Sequence, residues 1–138
     1  MSVLVKWQGK KAFEATSSSG HKVMMDASVE VGGEDRGTRP MEMVLMGLGG
    51  CSAIDVMMML EKGKQDVTAC DIEITAERAE TVPAVFTKIH VLFKVAGHDL
   101  SEKKVKRAVG LSAEKYCSVS IMLQASVEIT HDYEVTEA

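Results

Sequence analysis

Cys51, Cys70 and Cys117 are the residues of this chain whose side chains could carry covalent chemistry. A thiolate is a nucleophile and a metal ligand, and it oxidises through a sulfenic acid to a disulfide. The count is odd, the spacings are long and no Cys-x-x-Cys occurs. A zinc framework and a disulfide-stapled secreted scaffold are both poor fits to that pattern. Cys70 alternates with Ile72 and Ile74 on one strand face and reads as a small hydrophobe. Cys51 follows Gly49 and Gly50 inside an otherwise helical pattern. Two glycines cost about 2 kcal/mol relative to alanines there, so either another backbone approaches closely or the helix breaks near Gly50. A break puts Cys51 in a first turn, where a thiolate is favoured. Asp55, four residues on, opposes this by like charge. Cys117 precedes Ser118-Val119-Ser120, and a short separate helix over Cys117–Gln124 puts this thiol near an N-terminus as well.

The other candidate chemistries are thin. His21, His90, His98 and His131 are scattered, none at an i, i+4 spacing with a second ligand, so no metal site is assigned. His131 alternates with Ile129 and Tyr133 and reads as a core histidine. No Gly-rich phosphate loop, Ser-His-Asp arrangement or acid/base carboxylate pair stands out. With 16 basic and 20 acidic residues the net charge is −4, a balance that argues against a phosphate-tracking nucleic-acid surface.

The elements that must position the thiols belong to one domain of 138 residues, 46% hydrophobic and 26% charged, an ordinary globular composition. Aromatics are 4% and methionines number 10, so the core is aliphatic and thioether. Residues 3–31 alternate in short runs separated by Gly-containing turns, the pattern of a hairpin meander, and Ser28–Thr38 is a polar loop. Pro40 opens a helix to Lys62, about 33 Å long, ending at Gly63. This helix is apolar nearly all round and so demands burial, which in so small a chain predicts an oligomer that wraps it. Two strands follow, one with Cys70, Ile72, Ile74 and Ala76 on one face. The other carries Val85, Thr87, Ile89, Val91, Phe93 and Val95. Both read as members of an antiparallel sheet. Asp99-Leu100-Ser101-Glu102 resembles a capping box ahead of the stripe Val105, Ala108, Val109, Ser112 and Tyr116. A last strand aligns Val127, Ile129, His131, Tyr133 and Val135. The order predicts an α+β fold. No signal peptide is expected, and the apolar stretches read as shorter than the roughly 20 residues of a bilayer span. Both point to a cytoplasmic protein with reduced thiols.

The segment Thr38-Arg39-Pro40-Met41-Glu42-Met43-Val44-Leu45-Met46-Gly47-Leu48-Gly49-Gly50-Cys51 resembles the Pro-Glu-x-Leu…Cys segment of the OsmC/Ohr family. Ala113-Glu114-Lys115-Tyr116-Cys117-Ser118-Val119-Ser120 resembles its Cys-Pro-Val-Ser segment, and the 66-residue gap between the cysteines also matches. The similarity spans essentially the whole chain and is greatest to the YhfA-like branch. It implies antiparallel sheets around a long buried central helix in an intertwined homodimer. It further implies reduction of organic hydroperoxides, with Cys51 as peroxidatic nucleophile and Cys117 resolving its sulfenic acid as a disulfide. No cofactor is implied, only a dithiol reductant, lipoylated proteins in some members, and no membrane or nucleic-acid partner.

The match departs at the residues that tune the nucleophile. The family places a glutamate directly after the proline, where this chain has Met41. Glu42 is the nearest carboxylate, about 100° further round a helix. The activating arginine comes from the N-terminal strands or the following loop, and residues 1–35 contain none. Arg39 and Arg36 are the candidates, so the expected site is Cys51, Cys117, Glu42 and Arg39. A weakly active peroxidase is one expectation. The alternative is a dimeric OsmC-like protein that binds an apolar small molecule without catalysis, against a wall that Met46, Met57, Met58 and Met59 could supply.

Overall fold

The structure is a computed structural model that describes residues 1–138. The chain divides into two units, Met1–Met46 and Gly47–Ala138. The mixed architecture comprises two three-stranded sheets and helices, in agreement with the α+β expectation.

In the first unit, β1 (Leu4–Trp7), β2 (Phe13–Thr16) and β3 (Lys22–Met25) form the expected antiparallel meander, with Trp7 opposite Phe13 and Phe13 opposite Met25. Gly9 and Gly20 take the left-handed backbone that their tight turns require. The polar loop after β3 is organised rather than loose. The buried Asp26 carboxylate accepts N–H bonds from Ala27, Glu34 and Arg36 at 2.7, 3.0 and 3.1 Å. Burial alone would raise this carboxyl's pKa; the three backbone N–H donors and the Arg36 charge outweigh it and hold the pKa below the usual value.

Helix α1 (Pro40–Lys62) has the predicted bounds and runs without a break. Pro40 occupies the first helical position, and the Arg39 backbone N–H donates to Glu42 Oε1 at 3.1 Å, half of a capping box. At the far end Gln65 N–H donates to Leu60 O at 2.9 Å and Lys64 N–H to Glu61 O at 3.0 Å, which is a Schellman motif. The left-handed residue that this motif needs is Lys64, at φ 56°, and not the glycine beside it. Its 23 residues and a mean hydropathy of 1.8 over 18 of them correct the expectation that no apolar stretch is long enough for a bilayer span. By length and composition α1 would reach across one, as core helices of soluble proteins also do.

In the second unit, β4 (Asp66–Arg78) and β5 (Phe86–His98) make a long hairpin, and β6 (Glu128–Glu137) lies on the other side of β5. That last pairing is parallel, which corrects the all-antiparallel expectation. A register shift at Glu77/Arg78 also moves the inward face of β5 at its start. Phe86 is buried there, while Val85 and Thr87 are exposed. Helix α2 (Glu102–Leu111) is capped by Ser101 Oγ, which accepts Lys104 N–H at 3.3 Å. It buries Val105, Ala108 and Val109 of the expected stripe; Ser112 is buried just beyond its end, while Tyr116 is exposed. With Ile89, Val91, Phe93 and Val95 of β5 and Leu48, Val56 and Leu60 of α1, the buried part of this stripe makes the core.

The single chain does not bury α1 on all sides. Leu48, Ser52, Val56 and Leu60 form one buried stripe, while Ile54 is 64% and Met58 52% exposed. A 23-residue helix has more apolar surface than so small a neighbouring core can cover.

Candidate functional site

The second unit brings two of the three cysteines together. Cys51 lies in mid-helix on α1, beside the buried stripe. Its position excludes the first-turn alternative, because no break occurs at Gly50. What lies close to Gly49 is a side chain and not the expected backbone: a Cβ there would sit 3.1 Å from Ile74 Cδ1 on β4. Nothing in the chain accounts for Gly47 or Gly50, whose added Cβ atoms would meet open space.

Cys117 arrives by a different route. Helix α2 runs into a π-helical turn, Ser112–Tyr116, closed by Cys117 N–H donating to Ser112 O at 2.9 Å. The short helix α3 (Ser118–Leu123) follows, with Cys117 as its N-cap. Cys117 is fully buried, and its Sγ accepts hydrogen bonds from Ser52 Oγ at 3.3 Å and Ser120 N–H at 3.4 Å. Ser112 Oγ in turn donates to Ser52 O at 3.2 Å and ties α1 to the π-helical turn. Burial pushes the Cys117 thiol up; the bonds from Ser52 and Ser120 pull it down, and the adjacent Cys51 raises it again. The net rise overrides the thiolate-favouring effect expected of a helix start.

The third member is Asp55, one turn beyond Cys51 on the same side of α1. Cys51 Sγ, an Asp55 carboxylate oxygen and Cys117 Sγ all lie within 4.8 Å of one another. Asp55 Oδ2 is buried and has no hydrogen-bond partner. In the sequence Asp55 reads only as an unfavourable charge. The i, i+4 spacing from Cys51 was the available signal that the two share a face. Asp55 also borders a cleft of about 470 Å³ lined by Met58, Met59, Lys62, Leu111 and Tyr116. Met58 and Met59 are therefore two of the four expected methionines that do line a cleft.

Arg39 and Glu42 meet each other in the first unit. Glu42 accepts the Arg39 backbone N–H, which makes it a helix cap. The Arg39 guanidinium donates to Asp35 Oδ1 and Gly37 O, each at 3.0 Å. Arg36 donates to Gln8 O at 3.0 Å. Each candidate partner thus has a local structural engagement of its own. Cys70 is half-buried on β4, and burial first, then the Asp71 charge, pushes its thiol up, as suits a packing residue.

Comparison with known proteins agrees with this architecture. Residues 32–132 match the family model described as OsmC-like protein. Protein YhfA of Escherichia coli K12 is 51% identical over 138 residues, 100% of both chains. A solved chain described only as "structural genomics" is 50% identical, with full coverage of both chains and a TM-score of 0.90. The organic hydroperoxide resistance protein OhrB of Bacillus subtilis shares the fold at TM-score 0.64 and 19% identity, covering 97% of this chain and 98% of its own.

Proposed function

The chain belongs to the OsmC-like protein family, and on that premise we propose that it is a thiol-dependent redox protein that reduces organic hydroperoxides. The observation that carries the reading is the meeting of Cys51 and Cys117 Sγ within 4.8 Å, across 66 residues of sequence. In this reading the Cys51 thiolate attacks the terminal peroxide oxygen. An S–O bond forms, the O–O bond breaks, and the alkoxide leaves as an alcohol after taking a proton. The Cys117 sulfur, as thiolate, then attacks the Cys51 sulfenic acid; the S–S bond forms, the S–O bond breaks, and hydroxide leaves as water after taking a proton. A dithiol or a lipoylated protein reduces that disulfide. The cleft beside Asp55, with its two methionines and Leu111, is the surface for the organic part of the peroxide.

The same proposal includes a cytoplasmic homodimer. Gly47, Gly50, Ile54 and Met58 recur at three- and four-residue steps on α1, and all four are exposed in the single chain. Two glycines with open space above them, followed by two large exposed apolar side chains, suit close packing against a second copy of the helix.

The test is consumption of cumene or tert-butyl hydroperoxide by purified protein with a dithiol reductant. Activity is expected to vanish in Cys51→Ser. In Cys117→Ser a single turnover is expected to remain, leaving a sulfenic acid that dimedone traps. Equal consumption by wild type and Cys51→Ser would sink the peroxidase reading.

A further inference from the structure

The second unit sets a carboxylate beside the two thiols. Two sulfurs and a carboxylate oxygen converge within 4.8 Å, one of the three residues being fully buried. This convergence is what a divalent cation needs. Tetrahedral zinc with Zn–S of about 2.3 Å and Zn–O of about 2.0 Å has ligand atoms some 3.5–3.8 Å apart, so small side-chain rotations within the observed spacing complete the set. Asp55 Oδ2 is an acceptor buried without a partner, and such an orphan calls for an explanation, an ion among them. Lys62 lines the same cleft but makes no ion pair with Asp55. The outer contacts are in place as well. Ser52 Oγ and Ser120 N–H both point their hydrogens at Cys117 Sγ, and Ser112 holds the Ser52 backbone. Metal-bound thiolates are oriented in this way by donors around them.

We propose that, in the reduced protein, Cys51, Asp55 and Cys117 form a three-ligand site for a thiophilic divalent cation of the zinc class, with its fourth position open toward the cleft. Two thiolates favour a soft or borderline ion over magnesium or calcium. Binding replaces the two thiol protons: the ion enters, two S–M bonds and one O–M bond form, and two protons leave to solvent. No electron is transferred. A Cys51–Cys117 disulfide has no thiolate to offer, so metal occupancy and disulfide formation exclude one another. The inference deepens the peroxidase reading by giving the same cysteine pair a second, metal-bound resting form, but cation binding does not depend on peroxide turnover.

The experiment is titration of the full-length protein, reduced with a phosphine and freed of metal, with Co²⁺ as the spectroscopic probe and Zn²⁺ as its competitor. Wild type is expected to bind one Co²⁺ per chain with intense thiolate-to-cobalt charge-transfer absorption and tetrahedral visible bands, both erased by one equivalent of Zn²⁺. Cys51→Ser and Cys117→Ser are expected to lose the charge-transfer band or halve it. Asp55→Asn should weaken Zn²⁺ binding at least tenfold, Cys70→Ser should leave it unchanged, and diamide-oxidised protein should bind none. No charge-transfer band in reduced wild type overturns the proposal whatever the variants do. Equal Zn²⁺ affinity in wild type and Asp55→Asn overturns the three-ligand site. Hydroperoxide consumption measured with a chelator present reports on the peroxidase reading separately, so either can fail alone.

Discussion

Hydrogen bonds to one buried carboxylate and burial of two thiols make this chain sensitive to pH from both sides. The Asp26 carboxyl titrates below its ordinary range in the fold, because three backbone N–H groups hold its charged form. A depressed carboxyl pKa contributes stability above the unfolded value, which is lost as pH falls through the folded one. Cys70 and Cys117 shift the other way, up, chiefly through burial. Above the ordinary thiol range the unfolded chain releases those two protons before the folded chain does, so stability falls as pH rises. Thermal denaturation followed across pH should therefore show a plateau with an acid flank and an alkaline flank. Asp26→Asn is expected to lower the plateau and flatten the acid flank, since an amide cannot accept all three N–H bonds. An acid flank of unchanged steepness in that variant would show that other carboxyls govern it.

At the scale of elements, helix α1 is specified at both ends by local chemistry. Pro40 and the Glu42 cap start it, and a Schellman turn stops it. The stop is imperfect because Lys64 sits in the left-handed region at φ 56°, a conformation that costs a side-chain-bearing residue about 1 kcal/mol or more. Lys64→Gly is expected to stabilise the protein by about 0.5 kcal/mol, the relief of strain less the added backbone entropy of the unfolded chain. A urea midpoint that moves down rather than up would contradict this account of the turn. The strands were legible as strands because apolar residues alternate, but the alternation says nothing of direction. A period of two is the same for either pairing sense, so the parallel β5–β6 contact could not be read from β6 itself. The bulge that brings Phe86 inward in place of Val85 and Thr87 was equally hidden, since it depends on the partner strand.

For the whole molecule the decisive quantity is apolar surface left over. Ile54 and Met58, with Gly47 and Gly50 before them, are more than the chain itself needs or covers. In the proposed homodimer a bulky residue at Gly50 would hold two helices apart, while in the single chain it meets nothing within 4 Å. Gly50→Leu should therefore fold and shift the sedimentation coefficient at micromolar concentration from dimer to monomer. A dimer of undiminished affinity in this variant would place the interface on another face. Gly50→Ala without a partner helix would instead simply gain up to about 1 kcal/mol of helix propensity.

By itself the sequence determined what depends on near neighbours along the chain. The bounds of α1 follow from Pro40 and a 3.6-residue period, the α2 stripe from the same period behind Ser101, and the N-terminal meander from alternation between glycine turns. The family followed from two cysteine segments at the right separation. Only the tertiary structure decided what stands beside those cysteines. Cys117 reaches Cys51 through a π-helical turn that adds a residue to a helical turn, and no local pattern announces that insertion. Arg39 and Glu42 are the residues to which the family resemblance points as partners of Cys51. The structure uses one to hold a loop and the other to cap a helix, both satisfied by groups within a few residues. Asp55, by contrast, has a buried oxygen with no local partner. Its role depends on a sulfur 62 positions away in sequence, a distance that only the fold closes.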